Sequence, residues 1–160
     1  LRHPAPNSLA ARGRFERDRL TWSLVEGDFL AQFASAPQPD VIFWDPFSSK
    51  VDREMWSLAT FQRLHAHLAR GVELVTYSNS TAIRSSLLAA GFHVARGIAS
   101  GPKEETTIAI KPGDRPIVHA LLGREWLERR ARSTARIAAD VPAALHAEVE
   151  AAVLNHRQFS

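Results

Sequence analysis

A strand that has to stop at a carboxylate constrains this chain more than any other feature. Val41-Ile42-Phe43-Trp44 is an apolar run without a polar break, followed by Asp45 and Pro46. A short apolar run closed by a turn signal reads as a strand buried on both faces. Pro46 offers no N–H to a ladder and holds the residue before it in extended geometry, so the strand ends at Asp45. In open α/β sheets that carboxyl edge is where ligands bind. Asp45 then reads in two ways: as a turn residue or cap for the next helix, or as a ligand-facing carboxylate.

The flanking sequence alternates between two periods. Leu20 to Gly27 is rich in Trp, Thr and Val and predicts a strand ending in Gly27-Asp28. A short amphipathic piece with Phe29, Leu30 and Phe33 follows, closed by Pro37 and Pro39. Beyond Ser49, Asp52 is placed to cap a helix carrying Trp56, Leu58, Phe61, Leu64 and Leu68, with Gly71 past its end. Val72 to Tyr77 predicts a strand, and Ser78 to Thr81 a turn into a helix that stops at Gly91. Phe92 to Arg96 and Thr106 to Ile110 predict two further strands with no helix between them. The tail is helical in character, with Arg124, Arg129, Arg130, Arg132 and Arg136 beside Trp126, and Pro142 near the start of a last helix. Such alternation implies an α/β fold with a mostly parallel sheet, helices on both faces and a closing antiparallel strand pair.

Composition removes several function classes. A chain of 160 residues, 45% hydrophobic and 23% charged, has the balance of a folded domain rather than a disordered segment. The absence of Cys rules out disulfides, thiolate zinc sites and a Cys nucleophile, and fits a reducing cytoplasm. No apolar run approaches a membrane span, so no membrane partner is expected, and Leu-Arg-His-Pro-Ala-Pro lacks the pattern of a secretion signal. The His residues show no metal-ligand spacing; His65 and His67, two apart, diverge on a helix. A net charge of +3 permits an anionic partner such as RNA without requiring one.

Several short motifs recur in one order. Asp45-Pro46-Phe47-Ser48 is followed by Glu54-Met55-Trp56, Leu74-Val75-Thr76-Tyr77-Ser78, Ile83-Arg84, Ala89-Ala90-Gly91-Phe92 and Gly101-Pro102-Lys103-Glu104. Arg124-Glu125-Trp126-Leu127 and His156-Arg157-Gln158-Phe159 complete the set. In this ordered set the chain, from about Trp22 to its end, resembles the MnmC-like methyltransferase family. The resemblance implies a Rossmann-like, S-adenosylmethionine-dependent methyltransferase, whose better-known members methylate a 5-aminomethyl group on the wobble uridine of tRNA. It implies that residues 1–110 are the C-terminal part of that domain, strands three to seven, and that 111–160 are a helical extension. Asp28, ending the third strand, would approach the adenine ring together with Phe29. Asp45, ending the fourth, would stand beside the transferred methyl with Pro46 and act as the catalytic residue. Phe47, Tyr77, Ser78 and Lys103 would face the methyl acceptor.

Two departures from the family pattern bear on function. The family loop reads Gly-Arg-Lys-Arg, and here Pro102 and Glu104 stand where the arginines do, which takes two cations from a phosphate-facing loop. The chain also has no Gly-x-Gly-x-Gly, which in the family lies upstream and holds the methionine carboxylate. The family sheet runs in the order 3-2-1-4-5-7-6, so a chain with only strands three to seven leaves Val41–Trp44 without a central neighbour. That predicts one of three arrangements: the Trp22 strand pairs directly with the Val41 strand, the chain dimerises through that edge, or a missing N-terminal half covers it. The alternative to an enzyme is a catalytically inactive, truncated methyltransferase-like module that binds protein or RNA.

Overall fold

The computed structural model describes residues 3–99 and 105–160. The chain forms two compact units, residues 1–36 and 37–160.

In the first unit, helix α1 (Ala5–Arg12) ends on Gly13, whose φ of 65° suits a residue without a Cβ. Strands β1 (Arg14–Arg17) and β2 (Leu20–Ser23) then pair antiparallel, Phe15 opposite Trp22. Asp18, at φ 55°, makes the tight turn between them. Phe15, Trp22 and His3 pack their rings 5.6–6.2 Å apart. The expected strand at Leu20 therefore exists, but as half of a local hairpin and not as a strand of a parallel sheet. Its expected pairing with the Val41 strand is not what forms. The reason lies next door: the Arg-rich stretch before it supplies an antiparallel partner only two residues away, and short loops close at least entropic cost. Asp28 also does not end a strand. It caps the short helix α2 (Phe29–Gln32), its carboxylate accepting from the Ala31 N–H at 3.0 Å.

The second unit holds a four-stranded sheet in the order β3-β4-β6-β5. Its strands are β3 (Val41–Phe43), β4 (Glu73–Thr76), β5 (His93–Gly97) and β6 (Thr106–Ile110). β3 and β4 run parallel, while β4–β6 and β6–β5 are antiparallel. The sheet is thus mixed. Its order is the one implied for strands four, five, seven and six of a Rossmann-like methyltransferase, with the antiparallel seventh strand inserted between five and six.

One face of this sheet is sealed. Leu74, Ala109 and Val94 sit side by side in register and are fully buried. Helix α4 (Thr81–Ala89) packs on β5 and against helices α3 (Leu58–His67) and α6 (His146–Leu154). The other face is covered only in part: Ile117 and Leu121 pack on Ala95, Ile108 and Ile110. Toward β3 that cover stops. Val41 is 46% exposed and Phe43 80%, while Trp44 is buried. The Val41 run is therefore not buried on both faces, as its unbroken apolar character predicts; it is an edge strand whose apolar side chains lack a covering layer.

α3 also starts later than the sequence suggests. Ser57, not Asp52, is its N-cap, its hydroxyl accepting from the Thr60 N–H at 3.1 Å. The Asp140 carboxylate takes the Leu58 N–H from far along the chain. Asp52 instead accepts from the Met55 N–H at 3.4 Å within the turns that precede the helix. Among the described residues no helix is long and apolar enough to cross a membrane.

Candidate functional site

The carboxyl ends of β3 and β4 meet the start of β6, because β6 runs against β4. Along the less-covered face of the sheet, from Glu73 at the start of β4 to this edge, lies a cavity of about 560 Å³ whose lining includes Phe43, Trp44, Asp45, Tyr77, Thr106 and Ile108. The lining is mostly apolar, with Asp45 at its rim. Glu73 and His119, 2.8 Å apart, form an acid–imidazole pair on the same wall.

Asp45 owes its place to a short chain of constraints. The Trp44 N–H donates to the Val75 carbonyl at 2.8 Å, extending the ladder one residue beyond β3. Pro46 then blocks further pairing. Asp45 is exposed, and Phe47 is 78% exposed. The loop is nevertheless tied down from below. Trp56, 3% exposed, donates its indole N–H to the Phe47 carbonyl at 2.7 Å. The Ser48 carbonyl accepts from the Val51 and Asp52 N–H groups.

The loop after β4 is fixed from the other side. Ser78 is buried, and its carbonyl accepts the Thr107 hydroxyl at 2.5 Å. Its own hydroxyl accepts from the Ser80 N–H at 3.3 Å, so it serves the turn into α4. Arg84, 2% exposed, donates to the Thr107 hydroxyl, the Thr106 carbonyl and the Glu105 carboxylate at 2.8–2.9 Å. Burying a guanidinium is costly unless its donors are satisfied. Here one buried cation joins α4, the entry to β6 and, through Thr107, the Ser78 carbonyl. Glu105 also reaches Arg96 at 3.6 Å.

The structure brings Asp45, Pro46, Phe47, Tyr77 and Ser78 to one edge of one unit, with Asp45 and Tyr77 on the cavity itself. Asp28 and Phe29 belong to the other unit. Lys103 lies outside the described residues, as do Pro102 and Glu104. From the sequence, Arg84 and Trp56 stand only as members of short motifs, and neither is a site candidate. The signal for Arg84 was an Arg inside an otherwise apolar helix face, beside Ile83 and Leu87; a cation at such a position needs a buried acceptor set.

Chemically, this edge can present a carboxylate and aromatic walls to a small polar group, beside a cavity that is mostly apolar in lining and open to solvent. It fits the reacting end of a cofactor better than the whole of one. None of the eight glycines lies two residues from another, so the chain has no Gly-x-Gly turn to cradle a carboxylate or phosphate.

The chain is similar to known proteins in both sequence and fold. The family model described as S-adenosyl-L-methionine-dependent methyltransferase matches residues 2–112. The chain is 31% identical over 115 residues to the tRNA 5-methylaminomethyl-2-thiouridine biosynthesis bifunctional protein MnmC of Hahella chejuensis, covering 71% of this chain and 18% of that protein. It is 34% identical over 113 residues to the protein of the same name from Ralstonia nicotianae, covering 68% and 17%. Among solved structures it matches the crystal structure of MNMC2 from Aquifex Aeolicus with a TM-score of 0.63 at 22% identity, over 82% of this chain and 42% of that one. The chain thus spans under a fifth of the curated relatives and less than half of the solved structure.

Proposed function

The chain belongs to the S-adenosyl-L-methionine-dependent methyltransferase family, and on that premise we propose that it forms the acceptor-side part of an enzyme that methylates an aminomethyl group on a tRNA wobble uridine. The observation that carries this reading is Asp45, exposed at the carboxyl end of β3 on the rim of the cavity. When bound, the cofactor supplies an electrophilic methyl on a sulfonium. Asp45 and Pro46 are assigned to its side of the site, and Phe47, Tyr77, Ser78 and Lys103 to the acceptor.

The chemistry asked of the chain is modest but specific. An alkylamine is protonated at neutral pH, and releasing the proton costs about 4–5 kcal/mol for a pKa near 10.4. A carboxylate within hydrogen-bond reach orients the amine and takes that proton. Holding the nucleophile in line supplies most of the remaining acceleration. Asp45 is the group assigned to both tasks.

In this reading the glycine-bearing strands that hold the rest of the cofactor come from an upstream half; a second copy of the chain has no Gly-x-Gly to offer and serves only to cover the β3 edge. In a polypeptide that supplies those strands, Asp45→Ala lowers kcat by about 100-fold or more, far more than it lowers cofactor affinity. Radiolabelled methyl transfer to tRNA, with calorimetry of cofactor binding, measures both. Turnover near wild type would remove Asp45 from this role.

A further inference from the structure

Trp56 is a core residue with a polar tip, and a buried indole N–H must find an acceptor. Here that acceptor is the Phe47 carbonyl, 2.7 Å away, in the loop that carries Asp45 and Pro46. The same ring meets Tyr77 edge-on, with centroids 5.7 Å apart and planes at 79°. Tyr77 follows β4 and lines the cavity. One buried side chain therefore touches both loops that frame the site: the one after β3 through a hydrogen bond, the one after β4 through a ring contact. Both points lie past the ends of their strands, since β3 ends at Phe43 and β4 at Thr76.

We propose that Trp56 is a positioning residue for methyl transfer: its indole N–H sets the conformation of the Asp45–Phe47 loop, and its ring sets that loop against Tyr77. The inference rests on the reading of Asp45 as the amine-facing carboxylate. Trp56 itself touches no substrate. It acts by fixing where the Asp45 backbone stands, and a displacement of about 1 Å there is enough to cost a large share of rate.

The chain itself tests this by proton–nitrogen NMR. Its four Trp residues give four indole N–H signals. In the wild type the Trp56 indole proton exchanges with solvent far more slowly than that of Trp22, which is 43% exposed; equal rates would mean that the bond to Phe47 does not form, and the proposal would fall without any variant. Trp56→Phe keeps an aromatic ring and removes the N–H. It speeds amide exchange at Val51 and Asp52, whose N–H groups donate to the Ser48 carbonyl, about tenfold, the scale of one lost hydrogen bond, shifts the Tyr77 amide, and leaves Leu74 and Ala109 in the sheet unchanged. An unmoved loop, or a uniform rise that includes Leu74 and Ala109, would make Trp56 a packing residue only. Because this readout needs no catalysis, it separates the two ideas: a loosened loop together with Asp45→Ala turnover near wild type overturns the catalytic reading and keeps the brace.

Discussion

The two edges of the four-stranded sheet are finished in opposite ways. At the β5 edge the chain closes the sheet itself. The Arg96 N–H donates to the Ala120 carbonyl at 3.0 Å, the Leu122 N–H to the Val94 carbonyl at 2.9 Å, and Leu121 bridges to Ala95. The carboxamide of Gln158 then completes the edge. Its oxygen accepts from the Val94 N–H at 2.6 Å and its nitrogen donates to the carbonyls of Val94 and Leu122, both at 2.8 Å. Phe159 stacks on Trp126, with planes 7° apart, and Arg124 holds the Phe159 carbonyl. At the β3 edge nothing comparable is found among the described residues. The Glu73 N–H donates to the Asp40 carbonyl and the Trp44 N–H to that of Val75, so alternate residues face β4, and Val41 and Phe43 turn their peptide groups outward. An edge that a chain spends its own C-terminus to close is a finished edge. One left with apolar, outward-facing residues is shaped for another strand. The sheet is closed at one edge and open at the other, and the chain spans 42% of the solved relative.

The strongest way to break this contrast is to remove the closure. Ending the chain at Asn155 deletes the Gln158 bonds and the buried Phe159. The expected loss is about 3–5 kcal/mol, the usual cost of removing a buried Phe, read as a lower urea midpoint. Exchange at the Val94 amide should then approach that at Phe43. If the midpoint is unchanged, the C-terminal contacts do not close the edge.

How much of this was legible in the sequence depends on the range of the interactions. Thr106–Ile110, the helix stopping at Gly91 and the turn after Tyr77 are set by local pattern and punctuation, and they stand as the sequence predicts. Asp45 was legible for the same reason, since an apolar run and one Pro define it. The hairpin was not, because Leu20–Ser23 is a good strand whose partner the pattern alone does not name. Gln158 and Arg84 were hidden for a different reason. Each acts on a residue more than 20 positions away, and nothing in their neighbours marks the acceptor. The open β3 edge sits between these cases: its apolar run predicts a buried strand, and only the absence of a neighbour makes it exposed.

An acid titration tests the closed edge more gently. His156 packs edge-on against His93, with ring centroids 5.0 Å apart, and His65 packs on Phe92. Burial, with the His93 ring next in weight, holds His156 down to about 4. Burial and Arg157 lower His93; burial and Lys111 lower His65. All three are neutral in the docked form and bind protons more readily when released, near their ordinary value of 6.5. The docked C-terminus is therefore at full strength above pH 6.5 and weakens as pH falls from there toward 4. Trp126 emission, sensitive to Phe159 leaving its ring, follows the change. His156→Gln should flatten the profile, and a profile unaltered by that substitution would place the acid response elsewhere.

The smallest effect is expected at the open edge, and its smallness is the point. Phe43→Lys replaces an apolar side chain that is 80% exposed, so the stability of the isolated chain should change by no more than about 0.5 kcal/mol. A Phe inside a finished core would lose several times that. What should change is association. A lysine on an edge strand opposes the approach of another apolar strand, so whatever pairs there, an upstream half supplied in trans or a second copy, binds Phe43→Lys more weakly than wild type. Sedimentation of the chain alone and with the upstream half distinguishes the two partners. A wild-type chain that stays monomeric, ignores that half and keeps its Val41 and Phe43 amides in free exchange would show that the edge needs no partner, and the asymmetry between the two edges would then be a property of a complete fold.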